Sequence, residues 1–192
     1  MKQQVSIVAI KNEEEIQEYG QGFIRVYKDA YAERPYFESF TDEEVADVMK
    51  NLVFNNDGVC LVFLQDNNVI GICGGFNVLH EPEVANIIYH HNLPVSTEDT
   101  FYIAEIAVDP KHWKSGKGIA MAKHCMDTLH MRRKHRHAIM RTQAEESNSQ
   151  HLFEKIGFSV IPNVYQSVDT FVQENGQRKP VKQKRHFLLK QL

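Results

Sequence analysis

The run Ser115-Gly116-Lys117-Gly118-Ile119-Ala120 carries the clearest chemical signal in the sequence. An apolar stretch, Ile103-Ala104-Glu105-Ile106-Ala107-Val108, ends at Asp109-Pro110. A short loop then leads through the two glycines into a helical pattern with Ile119, Ala122, Met126 and Leu129 on one stripe. A strand, a glycine-containing turn and an exposed helix start leave backbone amides unpaired at the positive end of a helix dipole, which makes an anion site. Without Cβ atoms at Gly116 and Gly118 a phosphate can come close to the backbone, and Ala120 is small enough to keep the approach open. The competing reading is a helix that merely begins with two glycines. The run is not a Walker A loop, since no Gly-Lys-Ser or Gly-Lys-Thr ending is present, and it lacks the full dinucleotide fingerprint.

Glu105 is the only charge inside the apolar stretch. A carboxylate there is desolvated, which raises its pKa and makes it a better general base near neutral pH. The alternative is a structural glutamate paired with a buried arginine or with backbone amides. Strict alternation puts Glu105 on one face with Ile103 and Ala107 and Tyr102 on the other, an arrangement that a bulge would change. Ten histidines are present, but no HExxH pattern or Cys/His ligand spacing, so no metal is expected. The basic run His130 to His137 is explained as a solvated helix C-terminus.

Composition narrows the partners. Lys and Arg total 22 against 25 Asp and Glu, a formal net charge of -3, which argues against a nucleic-acid surface. No apolar run approaches the ~18 residues that span a bilayer, and the N-terminus lacks a signal-peptide apolar region. Cys60, Cys73 and Cys125 are odd in number and follow no CxxC pattern, which suits a reducing compartment. A cytoplasmic protein without membrane or nucleic-acid partners is the expectation.

The elements that must position these residues follow from periodicity. Val5 to Ile10 reads as a strand, and Glu13 to Ala32 as a helix despite Gly20 and Gly22. A second helix starts at Thr41 with Glu44 completing a capping box. Gly58–Gln65 and Val69–Val78 form a hairpin across Asp66-Asn67-Asn68, with Gly71, Gly74 and Gly75 pointing to a bulge or a close backbone approach. Pro82 to His91 is open between helical turns and loop. Phe101 to Val108 is a central strand, Gly116 to Arg133 a helix, Ala138 to Thr142 a strand, Ser147 to Ile156 a short helix and Phe158 to Val164 a strand. Asn175-Gly176 turns between Thr170-Phe171-Val172 and a last strand near His186 to Leu189. Residues 1–192 read as one domain of α/β (α+β) class with helices on both faces of the sheet.

Ala107-Val108-Asp109-Pro110 followed by Gly116 to Ala120 resembles motif A of the GNAT superfamily of N-acetyltransferases. In that motif Gln or Arg is followed after two residues by Gly and, two further on, by Gly or Ala. Gly118 and Ala120 match it, and Ser115 stands where the family has Gln or Arg. Leu152-Phe153-Glu154-Lys155-Ile156-Gly157-Phe158 resembles the later Leu-Tyr-Glu-Lys-Leu-Gly-Phe element. The two lie in the usual order and separation, so the resemblance is carried by residues 101–160 and elsewhere by element order. It implies a mixed, mostly antiparallel sheet of about six to seven strands, splayed between the fourth and fifth, with acetyl-CoA as co-substrate in the gap and no metal.

By the same resemblance, the loop from Ser115 and the amides of Gly116, Lys117, Gly118, Ile119 and Ala120 hold the pyrophosphate. Ile106, Ala107 and Val108 pair with the pantetheine arm like an added strand. Lys114 either neutralises a phosphate or is a solvated loop lysine. Phe153, at the cofactor site, replaces a tyrosine whose phenol protonates the departing thiolate, and phenylalanine has no proton to give. A family asparagine position falls on Glu146, with Asn148 close by. Glu105 is the candidate base. Tyr36 and Phe37 are the candidate acceptor-site residues, while Tyr27 and Tyr31 are spaced as core. The acceptor is expected to be a primary amine of a small molecule or peptide, its pocket built from loops at 31–40, 79–99 and 165–182. The reaction expected is acetyl transfer by direct attack in a ternary complex, the alternative being an acyl-CoA-binding module without catalysis. Monomer and homodimer both stay open.

Overall fold

The computed structural model describes residues 5–144 and 148–192. In chain order the elements are β1 (Val5–Ala9), α1 (Glu13–Tyr31), α2 (Asp42–Phe54), β2 (Val59–Gln65), β3 (Asn68–Asn77), α3 (Pro82–His90), β4 (Thr100–Val108), α4 (Lys117–Arg132), β5 (His137–Gln143), α5 (Asn148–Glu154), β6 (Ser159–Glu174) and β7 (Gln177–Gln191). The strands form a seven-stranded sheet in the order β1-β2-β3-β4-β5-β7-β6. Every pairing is antiparallel except the parallel β4–β5 pair.

Local chemistry explains the starts and turns. Asn12 caps α1 by accepting from the Glu15 amide at 2.9 Å, and Thr41 with Glu44 closes the expected capping box on α2. Gly22 is tolerated inside α1 because a Cβ there would lie 2.5 Å from the Val69 side chain. The β2–β3 turn uses left-handed backbone at Asp66 and Asn67 (φ 51° and 63°), the conformation that short hairpins demand. The stretch left open at 82–91 is helical as α3, with Pro82 in its first turn. The strands expected at 158–164 and 170–172 are one long strand, β6, with a register shift between Val160 and Tyr165. The segment 165–182, expected as loop, is therefore mostly hairpin: its alternating pattern suits a half-exposed ribbon. Ser147 and Glu146 lie outside the described residues, and α5 is described from Asn148.

Two apolar layers flank the sheet. One holds Phe23, Val26, Met49, Leu52, Val62, Ile72 and Phe187 under α1 and α2. The other holds Phe63, Phe101, Ile103, Met121, Cys125, Leu129 and Phe153 under α4 and α5. None of the described helices is long and apolar enough to cross a membrane.

Two irregularities shape the centre. The parallel pairing of β4 with β5 runs only from Thr100–His137 to Ile103–Met140, so the strands part beyond it. On its other side β4 carries a bulge: Gly75 opposes Ile103 while Gly74 opposes Glu105, which leaves Ala104 as the extra residue. The alternation of faces changes there. Phe101 and Ile103 face α4, and so do Ile106 and Val108, whereas Tyr102 and Ala107 face α1. Glu105 shares the α1 face with Tyr102, not with Ile103 as strict alternation predicts, because the bulge adds one residue to the count.

The glycines opposite make the bulge compatible with close packing. A Cβ at Gly75 would sit 2.0 Å from the Tyr102 carbonyl oxygen and 2.7 Å from the Phe101 ring. At Gly116, which caps α4, a Cβ would meet open space, and only its left-handed backbone (φ 80°) resists substitution. Gly75→Ala should therefore cost roughly 3 kcal/mol or more, and Gly116→Ala about 1–2 kcal/mol, both read from urea denaturation. Equal losses would contradict the packing at the bulge.

Candidate functional site

A cavity of about 790 Å³ opens where β4 and β5 diverge. Its walls come from the end of α1 and the following turn (Ala30, Tyr31, Arg34, Pro35, Tyr36), the free edge of β4 (Ile106, Ala107, Val108), the loop into α4, and α5. The volume is that of a small-molecule site.

The loop between β4 and α4 is pinned from below. Asp109, 4% exposed, accepts from Arg25 at 2.5 Å and from the Lys111 amide at 3.0 Å. Arg25 also donates to the Val69 carbonyl at 2.5 Å. Burial pushes the Asp109 carboxyl up, but the Arg25 and Lys111 contacts outweigh it and hold the group below the usual aspartate value. The motif aspartate thus ties the loop to α1 and to the β2–β3 hairpin.

Above it, α4 begins at Lys117 with no side-chain cap. Among the described residues the amides of Gly116, Lys117, Gly118 and Ile119 have no hydrogen-bond partner, whereas that of Ala120 is spent on the Gly116 carbonyl at 3.2 Å. The free amides are therefore 116–119, one fewer than expected, because a helix leaves only its first turn unpaired. Gly118 packs against α5: a Cβ would lie 2.9 Å from Leu152. Lys114, exposed with left-handed backbone (φ 60°), lines the cavity with His112. Lys117 Nζ lies 2.9 Å from His112 Nδ1, and the Ser115 hydroxyl donates to the His112 carbonyl.

The edge of β4 is selective in the same way. The Asp109 amide bonds to Ile70 in β3 at 2.9 Å. Since backbone groups alternate between the two edges, those of Ala107 also turn to β3, and those of Ile106 and Val108 turn to the gap. Ala107 thus contributes a side-chain wall, not a backbone partner. The Val108 carbonyl already accepts from the Trp113 indole at 2.7 Å.

Glu105 lies behind Tyr31, outside the cavity lining. Tyr31 donates to its Oε2 at 2.8 Å and Tyr27 approaches Oε1 at 3.3 Å. Burial pushes its pKa to about 7, against the pull of the Tyr31 hydrogen bond and Arg141. Burial first, and then the Glu105 charge, raise both phenols well above the usual tyrosine value, so they stay protonated as donors. Tyr31 lines the cavity and bridges it to the carboxylate. Spacing alone marked both tyrosines as core; their hydroxyls carry no periodic signal.

Tyr36 lines the cavity, with its hydroxyl 3.0 Å from Thr142 Oγ1 and 2.8 Å from Ser149 Oγ. Phe37 does not: it has left-handed backbone (φ 52°), is 51% exposed and lies outside the lining. Phe153 is 1% exposed, packs edge-on against Phe158 at 5.1 Å, and touches the cavity from α5. Behind Tyr36 a buried ion pair joins Arg185 to Glu38, with Arg185 also bonded to Gln143 at 2.6 Å. Residues 147 positions apart give no local signal of such a pair. Among the described residues no three His, Cys, Asp or Glu side chains gather in a way that could hold a metal ion. The free amides of α4 can thus hold an anion and the free edge of β4 an extended chain, with Tyr31 joining the cavity to a carboxyl that burial pushes up to about 7.

The raised pKa of Glu105 has a consequence for stability. The fold favours the protonated carboxyl, so its contribution is complete below the unfolded value of about 4.5 and is lost as pH rises to about 7. The stability of the wild type relative to Glu105→Gln should fall across that window and level off above it, measured by urea denaturation at several pH values. Parallel pH profiles would mean that the carboxylate is not desolvated.

Comparison with known proteins agrees with this geometry. The family model described as "Acetyltransferase (GNAT) family" matches residues 23–158. No curated protein matches the chain by sequence. Among solved structures, the N-acetyltransferase from Staphylococcus aureus Mu50 is similar at a TM-score of 0.65 and 14% identity, covering 98% of each chain. The ribosomal-protein-S18-alanine N-acetyltransferase from Escherichia coli gives 0.61 and 14%, covering 97% of this chain and 92% of that one. A GNAT family acetyltransferase from Elizabethkingia anophelis with acetyl-CoA bound gives 0.60 and 15%, with 98% of each covered. At these identities the likeness is one of fold.

Proposed function

The chain belongs to the acetyltransferase (GNAT) family, and we propose that it moves an acetyl group from acetyl-CoA to a primary amine of a small molecule or peptide. The observation that carries this reading is the cavity along the free edge of β4, which is lined by the α4 start with its free amides and by Tyr31, the donor to Glu105. Residues 1–192 act as one acetyltransferase domain, in the cytoplasm, and no metal takes part.

The pyrophosphate rests on the amides of Gly116, Lys117, Gly118 and Ile119, with Ser115 in the turn and Lys114 beside the phosphates. The pantetheine arm runs along β4 and pairs with the free backbone of Ile106 and the Val108 amide, while Phe153 walls it from α5. Trp113 has to yield or shift, because its indole holds the Val108 carbonyl on that edge.

An alkylammonium with a pKa of about 10 must lose a proton before it can attack the thioester. Glu105, half ionised near pH 7, accepts that proton, and the Tyr31 hydroxyl relays it from the cavity because it already donates to the carboxylate. The amine then attacks the thioester carbonyl directly in the ternary complex, and the carbonyl oxygen takes a hydrogen bond from an edge amide of β4.

Two measurements test the reading. The chain has a single tryptophan, Trp113, so titration with CoA should change its intrinsic fluorescence. Gly118→Glu places a carboxylate at the helix start and should weaken CoA binding at least about a hundredfold (about 2.7 kcal/mol); unchanged affinity would remove the pyrophosphate assignment. With acetyl-CoA and a panel of amines, thiol release by the wild type should fall about tenfold per pH unit below pH 7, as expected of a base that must be ionised. Glu105→Gln should be slower by roughly 10²-fold or more and lose that limb, and a surviving limb would exclude Glu105 as the base.

A further inference from the structure

The acetyl-transfer reading accounts for the proton that leaves the amine but not for one that reaches the departing sulfur. Phe153 supplies none. Of the two phenols on the cavity wall, Tyr31 has its proton committed to Glu105. The Tyr36 hydroxyl sits instead among hydroxyls, Thr142 Oγ1 at 3.0 Å and Ser149 Oγ at 2.8 Å, which also bond to each other and in which either partner of a pair can donate.

The position of that cluster is what gives it a use. Thr142, buried and outside the cavity lining, lies on β5 two residues beyond Met140, where pairing with β4 ends. Ser149 stands four residues before Phe153 on α5, one helical turn away on the same side. Both Ser149 and Phe153 line the cavity. Tyr36 reaches this wall from the turn after α1, and its ring packs on Tyr31 at 5.1 Å. A proton acceptor reached through Tyr31 (Glu105) and a second phenol, Tyr36, thus stand side by side at one cavity. The Arg185 guanidinium lies 5.0 Å from the centre of the Tyr36 ring, its charge balanced by Glu38.

We propose that Tyr36 is the proton donor to the CoA thiolate, with Ser149 and Thr142 as its positioning residues and Phe153 as an apolar wall. The inference rests on the acetyl-transfer reading. When the tetrahedral adduct collapses, the C–S bond breaks and its electron pair goes to sulfur. The Tyr36 hydroxyl proton passes to that sulfur and leaves a phenolate, which accepts hydrogen bonds from the Thr142 and Ser149 hydroxyls. Nitrogen gives up two protons: the ammonium passes the first to Glu105, which releases it to solvent, and the adduct nitrogen passes the second along the same Tyr31 path as the C–S bond breaks. Sulfur takes one from Tyr36, and exchange of Glu105 and Tyr36 with solvent restores the starting state with one net proton released.

Tyr36→Phe keeps the ring and its packing and removes only the hydroxyl. A free thiol has a pKa of about 8.5, so a thiolate leaves passably without help, and the expected loss lies at or below the low end for general acids. With the amine that the wild type turns over fastest, kcat should fall roughly tenfold to a hundredfold, while the Kd for CoA, measured by calorimetry, stays within about threefold. A kcat within twofold of wild type would overturn the proposal. So would a Kd that rises as much as kcat falls, since that is the mark of a structural role. A wild type that binds CoA but acetylates no amine sinks the acetyl-transfer reading, and this inference with it; turnover by the wild type with an unaffected Tyr36→Phe variant sinks this inference alone.

Discussion

The extra residue in β4 at Ala104 governs what lies downstream of it. A bulge adds local twist and inverts the alternation of side chains. Here it turns Glu105 to the face of α1, where Tyr27 and Tyr31 wait, and sends Ile106 and Val108 to the face of α4. Pairing with β5 ends just before the same point, after Ile103. One local irregularity thus coincides with the opening of the cavity, the exposure of a strand edge and the placing of a carboxylate. Gly74 and Gly75 make room for it, since a Cβ at either would run into backbone carbonyls of β2 or β4.

Charge inside the molecule is arranged around that cavity in two different ways. Asp109 is nearly buried but paired with Arg25, so its acidity is kept and its job is to hold the loop. Glu105 is held by hydroxyl donors, with Arg141 acting only at a distance, and burial prevails. The contrast follows from the partners: a guanidinium in direct contact stabilises a carboxylate more than phenols do. Glu38 lies between these cases, raised by burial and pulled back by Arg185. A carboxylate poised near neutrality is a local cost to stability, which is characteristic of groups held for chemistry and not for folding.

The fold was legible wherever periodicity or turn chemistry speaks. Thr41 and Glu44 announced α2, Asp66 and Asn67 the first hairpin, Asn175 and Gly176 the last, and the apolar runs placed β2, β3 and β4. The strand–turn–helix geometry at β4 and α4 was legible for the same reason, since a strand, glycines and a helix start are all local. The bulge was only half legible: the glycines of β3 pointed to an irregularity, but which residue of β4 it displaces depends on a register between strands 30 residues apart. The length of β6 and β7 escaped because their outer halves are half-exposed ribbon, whose polar residues imitate a loop.

The residues around the reacting centre were the least legible, and the reason is geometric. The centre is assembled from the end of α1 with the turn after it, the middle of β4, and the end of β5 with one turn of α5, three stretches far apart in sequence. Tyr27 and Tyr31 have the spacing of core residues because they are core residues; only the direction of their hydroxyls, toward a carboxylate 78 and 74 positions away, gives them a second task. The hydroxyl cluster of Tyr36, Thr142 and Ser149 spans 106 and 113 positions. A motif records what the backbone must do, and backbone requirements are local. Proton transfer needs only that a few side-chain atoms converge, so the residue supplying a proton can change from one element to another while the fold and its anion loop stay fixed. On the proposed assignment of the proton donor to Tyr36, Phe153 is the place in this chain where that freedom shows.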